Sequence, residues 1–587
     1  MSMTFLEANT AVTGPGQIFE LIDGEVRGVK MKVFKNAPAH LGQVFAGSRG
    51  HGDKTFLVYE DEIITFAQAA DRIDALASLL VNTYGVKKGD RVALAMRNLP
   101  EWPVAFFAAA VSGAIVVPLN AWWTGEELAF GLADSGAAVL ICDAERWDRI
   151  SPYKAEMPAL AHVMVTRAGA AAMAEPAITL ESIIGSPKSY ADLADLSLPE
   201  VAIAPDDAAT IFYTSGTTGK PKGALGSHRN LLTNGFSSAY SGAATVLRRG
   251  EPLPEPSIRA SLLVIPMFHV TACSASMIPT IQAGHKIVFL HKWDTVKAFE
   301  IIEREKINAT GGVPFIAWQL IEHPDRAKYD LSSIDAISYG GAPSAPELVS
   351  KIYEIFGAFP GNGWGMTETN PLGTLSRKVA KRSHLTLSED QQFDNIAKAG
   401  LASPGLEIEI FDENWETLPH DGEAVGELLI RGPWICSEYY NDPQPDKFHD
   451  GWLVTGDVAK IDQEEYLIIA DRSKDLIKSG GEWISSVDLE NHIVALPGVR
   501  QAAVVAQPHP KWDERPVALV ILLEGANVTK DLILDHCAEI FAKWQLPDDV
   551  IFVHEIPLTS TGKIDKKVIR SQLESEDYLL PDLRSAS

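Results

Sequence analysis

The chain predicts an α/β protein in which a large N-terminal domain of layered α/β subdomains is joined by a hinge to a small α+β C-terminal domain. Helix-spaced and strand-like segments alternate through most of the 587 residues, which favours helices packed on mainly parallel sheets. After about residue 470 the pattern becomes compact. The junction Asp471-Arg472-Ser473-Lys474-Asp475 is charged rather than rich in Pro and Gly, which suits a hinge between two positions better than a loose tether. The expected division is 1–470 and 471–587, with the hinge at Asp471.

Taken in order, Phe66 to Thr83 has helical spacing, and Arg91 to Met96 and Val139 to Cys142 read as strands. The apolar run Val104 to Val117, set between Pro103 and Pro118, is too short to cross a bilayer and reads as a buried helix running into a strand. Further strands are expected at Ala208 to Phe212, Lys286 to Leu290, Ala336 to Tyr339 and Leu428 to Arg431. The Ala-rich Arg167 to Ile178 and the Pro-rich Leu247 to Ser257 interrupt the alternation, the latter as an exposed loop. In the small domain, Ala502 to Ala506 and Val517 to Leu522 read as strands and Lys530 to Phe541 as a helix.

Composition excludes several classes of function. Acidic residues number 77 against 51 Lys plus Arg, a net charge of −26, which opposes electrostatic attraction to nucleic acid or anionic lipid. Any anionic ligand must be held by a local pocket. Cys142, Cys273, Cys436 and Cys537 are too scattered for a zinc or disulfide framework, and a reducing cytoplasm is expected. Glu7, Glu20, Asp23 and Glu25 argue against a secretory signal, and no transmembrane segment is expected, although peripheral membrane contact is compatible with the sequence.

The run Tyr213 to Gly223 (YTSGTTGKPKG) follows an apolar strand and reads as a phosphate cradle. Its glycines let backbone N–H groups turn inward, its hydroxyls add donors, and its lysines add charge. Only Thr217 and Thr218 separate Gly216 from Gly219, and Pro221 stands where a Walker A loop carries Ser or Thr, so the P-loop NTPase reading fails on spacing.

With its companion motifs, this run resembles the adenylate-forming superfamily of acyl-CoA synthetases, luciferases and peptide-synthetase adenylation domains. YTSGTTGKPKG resembles the phosphate loop, Trp364-Gly365-Met366-Thr367-Glu368 the aromatic-Gly-Met-Thr-Glu motif, and Thr455-Gly456-Asp457 the ribose motif. Asp471 to Trp483 (DRSKDLIKSGGEW) resembles the hinge and following loop, and Ser560-Thr561-Gly562-Lys563 the catalytic-lysine motif. Within the superfamily, GGEWISSVDLE and IPMFHV are most similar to bacterial medium- and long-chain fatty acyl-CoA synthetases.

That resemblance implies an ATP-dependent carboxylic acid:CoA ligase, using Mg²⁺ and CoA, that first joins the acid to AMP and then transfers the acyl group to the CoA thiol. Thr214, Ser215, Gly216, Thr217, Thr218, Gly219 and Lys220 would hold the outer phosphates, and Glu368 with Thr214 would bind Mg²⁺, a hard cation that takes oxygen ligands. Thr367 would touch the α-phosphate. Gly340, Gly341, Ala342 and Pro343 would admit the adenine, with Trp364, which replaces the usual Tyr, stacking on it and Gly365 and Met366 beside it. Asp457 would accept the ribose hydroxyls. Arg472 would either contact the ribose or close a salt bridge at the hinge.

Lys563 would balance charge developing between the carboxylate and the α-phosphate. Rotation about Asp471 would then withdraw Lys563 and present the loop of Lys478, Gly480, Gly481, Glu482 and Trp483 to pantetheine. His269, Cys273, Val313 and Gly340 are candidates to line the acid pocket. His269 is also a catalytic candidate, and equally reads as a satisfied core residue. Cys273 stands where some long-chain members carry a gating Trp.

The expected acid is fatty or otherwise apolar. The alternatives are a carrier-protein-loading adenylation enzyme, an oxygenase of the luciferase kind, an aryl- or sterol-type acid ligase, and a non-catalytic nucleotide-binding homologue. A homodimer is expected from the resemblance alone. A hydrolase is set aside because the chain has no G-x-S-x-G elbow.

Overall fold

A computed structural model describes the chain except at residues 1–4, 170–175, 187–197, 199, 215–220, 254–256, 342–345, 378–381, 481, 560–562 and 576–587. Ser215, Gly216, Thr217, Thr218, Gly219, Lys220, Ala342, Pro343 and Gly481 therefore lie outside the described residues.

Two large sheets dominate the N-terminal part. One runs Lys222–Ser227, Ala208–Thr214, Ile115–Pro118, Arg91–Ala95, Val139–Asp143, His162–Thr166 and Ala177–Thr179 in spatial order. It is parallel except for the hairpin of Ala208–Thr214 with Lys222–Ser227, which brackets the cradle. The other contains the adjacent parallel strands Lys286–Phe289, Ala260–Leu263, Ala309–Gly312, Ala336–Gly340 and Phe359–Gly365. Parallel strands are covered on both faces, which is why they read as continuous apolar runs. Between the sheets, every residue of the helix Glu101–Val111 is buried, as a helix apolar on all sides must be. That helix and Ile115–Pro118 are the helix-into-strand unit expected at Val104 to Val117.

Helix boundaries follow local chemistry. Phe66–Ser78 starts where the Thr65 hydroxyl accepts from Gln68 N and the Gln68 side chain answers to Thr65 N, a reciprocal cap. The π-helical turn Leu79–Thr83 completes the expected segment.

Several expectations need correction. Gly426–Arg431 belongs to an antiparallel sheet with Glu407–Phe411 and Trp452–Ile461, not to a helix-linked parallel pair. Leu428, Leu429 and Ile430 are buried in a row, so the strand reads as a continuous apolar run although its neighbours are antiparallel. Leu247 and Arg248 are the last turn of the helix His228–Arg248 and not loop, although Leu253 is exposed. Ala177–Thr179 is a strand at the end of the segment expected to be irregular. The helix from Lys530 stops at Ala538 rather than Phe541.

The C-terminal part is a five-stranded sheet built on the hairpin of Val499–His509 with Asp513–Leu522. Asp549–Phe552 adds in parallel to the free edge of Asp513–Leu522, Ile477–Ser479 joins the same edge at Asp513 and carries Glu482–Ile484, and the helices Ser486–Val494, Lys530–Ala538 and Lys566–Glu574 cover the sheet. Among the described residues, no helix is long and apolar enough to cross a membrane.

Candidate active site

The site is assembled at the carboxyl ends of neighbouring parallel strands, where open α/β sheets bind ligands. Leu263 pairs with Gly311, Gly312 with Tyr339, and Gly340 with Gly363. That register brings the segments holding His269, Val313, Gly341 and Trp364 to one edge. Glycine is required here: a Cβ on Gly340 would stand 3.0 Å from Gly363 O, and Gly341 has φ +78°.

Lys563 enters this edge from the C-terminal part. Its turn is closed by Thr559, whose N–H donates to Lys563 O at 2.7 Å and whose hydroxyl accepts from Lys563 N at 3.2 Å. The side chain then runs against Gly341: a Cβ there would meet Lys563 Cε at 3.0 Å and Nζ at 3.5 Å. Burial pulls the ammonium down to a pKa of about 8, with Arg472 adding to the effect and Asp457 and Glu368 opposing it. The lysine thus shares one electrostatic environment with the carboxylates expected at the metal and at the ribose.

Glu368 sits in the turn Thr367–Thr369 and is 4% exposed. Its Oε1 accepts from the Tyr439 hydroxyl, and its carbonyl accepts from Cys436 N at 2.8 Å. A buried carboxylate with a second oxygen in hand suits Mg²⁺, which takes one or two carboxylates and completes its shell with phosphate and water. No cluster of three or more His, Cys, Asp or Glu that could hold a metal occurs among the described residues. Thr214 ends the strand Ala208–Thr214 at the cradle.

Asp457 is 6% exposed and has both oxygens engaged. Trp364 donates its indole N–H to Oδ2 at 2.8 Å, and Arg472 Nε approaches Oδ1 at 3.3 Å. Arg472 therefore forms a salt bridge with the ribose-motif carboxylate, across the expected hinge position. Asp457 and Arg472 are also opposite each other in the ladder of Trp452–Ile461 with Leu467–Arg472. Trp364 packs in the core cluster beneath the site, where Gly373 leaves room for its ring: a Cβ there would stand 2.4 Å from Cζ3.

His269 accepts the Thr271 N–H at Nδ1, 3.2 Å away, which leaves the proton on Nε2. Burial, then Lys563, lowers its pKa to about 4, so it is neutral near pH 7. Cys273 follows on a π-helical turn, donates its N–H to His269 O at 3.2 Å, and is fully buried in the main core. Val313 precedes the helix Pro314–Glu322.

Asp471 is 1% exposed, with Oδ2 accepting from Ser486 N at 2.7 Å and Ser486 Oγ at 2.6 Å. The Lys478 to Trp483 loop is a hairpin on the small sheet. Lys478 N donates to Glu514 at 2.9 Å, Lys478 Nζ lies 5.7 Å from the Trp483 ring, and Gly480 (φ +64°) donates to Trp512 O at 2.8 Å. Glu482 is exposed and Trp483 is 51% exposed.

Sequence reasoning missed three site residues. Tyr439 holds Glu368, Glu427 accepts from Gly456 N at 2.9 Å, and Lys447 faces the same carboxylates as Lys563. None carries a local signal, because each acts across a fold contact. Lys222, one of the lysines of the Tyr213 to Gly223 run, pairs with Asp442 at 3.3 Å.

Comparison with known proteins places this geometry in a family. The family model for AMP-binding enzymes matches residues 44–440, and that for the AMP-binding enzyme C-terminal domain matches residues 488–563. The long-chain-fatty-acid–CoA ligase of Thermus thermophilus is 34% identical over 517 residues, covering 87% of this chain and 90% of that one. The 3-methylmercaptopropionyl-CoA ligase of Ruegeria pomeroyi is 33% identical over 515 residues, covering 87% and 92%. The solved Mycobacterium tuberculosis fatty acyl CoA synthetase superposes with a TM-score of 0.67 at 30% identity, covering 92% of this chain and 99% of that one. The chain belongs to the AMP-binding enzyme family, the adenylate-forming superfamily, in its acyl-CoA synthetase branch. It is an AMP-forming acid:CoA ligase by class.

Proposed function

We propose that this ligase activates a fatty or similarly apolar carboxylic acid in the cytoplasm, with magnesium, in two steps that share one cleft. The observation that carries the reading is the placement of Lys563 against Gly341, in the shared field of Glu368 and Asp457. A carboxylate resists thiol attack because it would have to expel oxide. Joining it to AMP supplies a good leaving group, a step governed by positioning and electrostatics.

In the first step, the acid's oxygen attacks the α-phosphorus of ATP and pyrophosphate leaves. Lys563 donates to the oxygens between which charge develops, Thr367 adds a hydroxyl contact, and Thr214 to Lys220 hold the departing phosphates. Glu368 with Thr214 would hold Mg²⁺, which when bound would supply neutralisation of phosphate charge. Asp457 accepts from the ribose, Arg472 stands beside it, and Gly341 to Pro343 with Trp364, Gly365 and Met366 bound the adenine. Neutral His269, Val313, Gly340 and Cys273 bound the acid; an uncharged wall suits an apolar tail.

In the second step, residues 471–587 turn about Asp471, withdrawing Lys563 and bringing Lys478 to Trp483 to the pantetheine arm. The fatty-acid ligases among the relatives support the apolar acid, and the shorter acid named for the Ruegeria enzyme argues for testing a wide panel. A homodimer and peripheral membrane contact are compatible with this reading.

The test is pyrophosphate release with ATP and Mg²⁺ across aliphatic, aryl and ring-bearing acids, followed by mass detection of the CoA thioester. Apolar aliphatic acids should lead, with graded preference, since each methylene is worth about 1–3 kcal/mol in such pockets. Activity confined to charged or aryl acids would refute the substrate class, and thioester formed only on a carrier protein would refute CoA as acceptor.

A further inference from the structure

Lys447 precedes the short strand Phe448–His449, and its backbone is fixed on both sides: its N–H donates to Gln444 O at 2.9 Å and its carbonyl accepts from Val454 N at 3.0 Å. The side chain lies over the ribose motif, with Nζ 3.4 Å from where a Cβ on Gly456 would stand. The half-buried ammonium feels Glu368, Glu427, Asp457 and Arg472. Among the described residues, no ion pair or hydrogen bond engages its Nζ. An ammonium taken from water without hydrogen-bonding partners is costly, so its three donors are free for a ligand oxygen.

The two carboxylates fix which oxygen that is. If Asp457 takes the ribose and Glu368 the metal on the outer phosphates, the group linking those ends is the nucleotide's 5′-phosphate. Lys447 and Lys563 both feel both carboxylates. They differ in attachment. Phe448, next to Lys447, pairs with Leu453 on the strand that carries Asp457, so Lys447 moves with the nucleotide. Lys563 belongs to the C-terminal part.

We propose that Lys447 is a second phosphate-binding lysine, donating to the nucleotide's 5′-phosphate and remaining there after ATP has become acyl-AMP. The proposal rests on the acyl-adenylate reading above.

The test measures AMP and adenosine affinity by calorimetry, and the KM for supplied acyl-AMP in thioester formation, in wild type, Lys447→Met and Lys447→Arg. Lys447→Met should weaken AMP by about tenfold or more, spare adenosine, and raise the acyl-AMP KM by a similar factor, as expected for a lost charge-assisted hydrogen bond. Lys447→Arg should recover most of both. Unchanged AMP affinity in Lys447→Met, or equal loss of AMP and adenosine, overturns the proposal, because the lysine then only neutralises Glu427 and Glu368. If Lys447→Met does not fold, Lys447→Gln, which keeps the length and loses the charge, carries the same comparison. Wild type that binds AMP through Lys447 yet makes no thioester would refute the acid:CoA reading and leave the phosphate contact standing.

Discussion

Trp364 and Asp457 form one hydrogen-bonded unit, indole N–H to carboxylate at 2.8 Å, although 93 residues separate them in sequence. The aromatic expected at the adenine thus also holds the carboxylate expected at the ribose. A phenyl ring keeps the stacking face and loses the donor. Trp364→Phe should therefore raise the ATP KM by about 10- to 100-fold, the range for a hydrogen bond to a charged group, with a smaller effect on kcat. Pyrophosphate release at saturating acid checks this, and an ATP KM within twofold of wild type contradicts it.

Lys563 gives a pH signature. Its pKa is lowered from 10.5 to about 8, so the cation needed in adenylation is present below pH 8 and lost above it. In wild type, kcat/KM for adenylation should fall as pH rises through about 8, because that parameter reports the free enzyme. The kcat limb should lie at higher pH, since bound phosphate favours the ammonium. Lys563→Ala should lose adenylation by at least about 100-fold, together with this limb, and keep thioester formation from supplied acyl-AMP.

His269 titrates near pH 4 rather than 6.5, mainly through burial and then through Lys563. The folded protein therefore binds this proton less readily than the unfolded chain. The contribution of His269 to stability is complete above about pH 6.5 and declines as pH falls toward 4. NMR titration of the imidazole should show it neutral at pH 6, and Lys563→Ala should move its midpoint upward. An unmoved midpoint in that variant would mean the two side chains are not neighbours in solution.

Gly341→Ala should fail for two reasons. Its φ of +78° strains any side chain, and the new methyl would press on Lys563 Cε, 3.0 Å from the Cβ position. The backbone term alone is about 1 kcal/mol. The variant should melt a few degrees lower, lose adenylation more than ATP binding, and retain the acyl-AMP half-reaction. Normal adenylation would place Lys563 elsewhere during chemistry.

The layered α/β architecture was legible because buried parallel strands leave continuous apolar runs such as Val139 to Cys142, and because segments such as Phe66 to Thr83 keep helical spacing. The antiparallel setting of Gly426–Arg431 was not, since a short apolar strand looks the same in either kind of sheet. At the site, the motif residues Glu368, Asp457 and Lys563 were legible as types in order. Tyr439, Glu427 and Lys447 were silent, because their relevance comes from a hairpin that folds back over Gly456 and from a hydroxyl that reaches Glu368 across the fold. Arg472 was left between a ribose contact and a hinge salt bridge, and the ladder that sets it opposite Asp457 brings its guanidinium into a salt bridge with that carboxylate.

That ladder would couple motion to chemistry. Val458 faces Asp471 one step from the Asp457–Arg472 rung, so the expected pivot and the carboxylate expected at the ribose share adjacent cross-strand pairs. If the C-terminal part turns at residue 471, torque there would pass into the strand that carries Asp457, and a bound nucleoside would in turn stiffen the pivot. The swing between half-reactions would then be geared to whether AMP is aboard, and an empty enzyme would turn more freely than a loaded one.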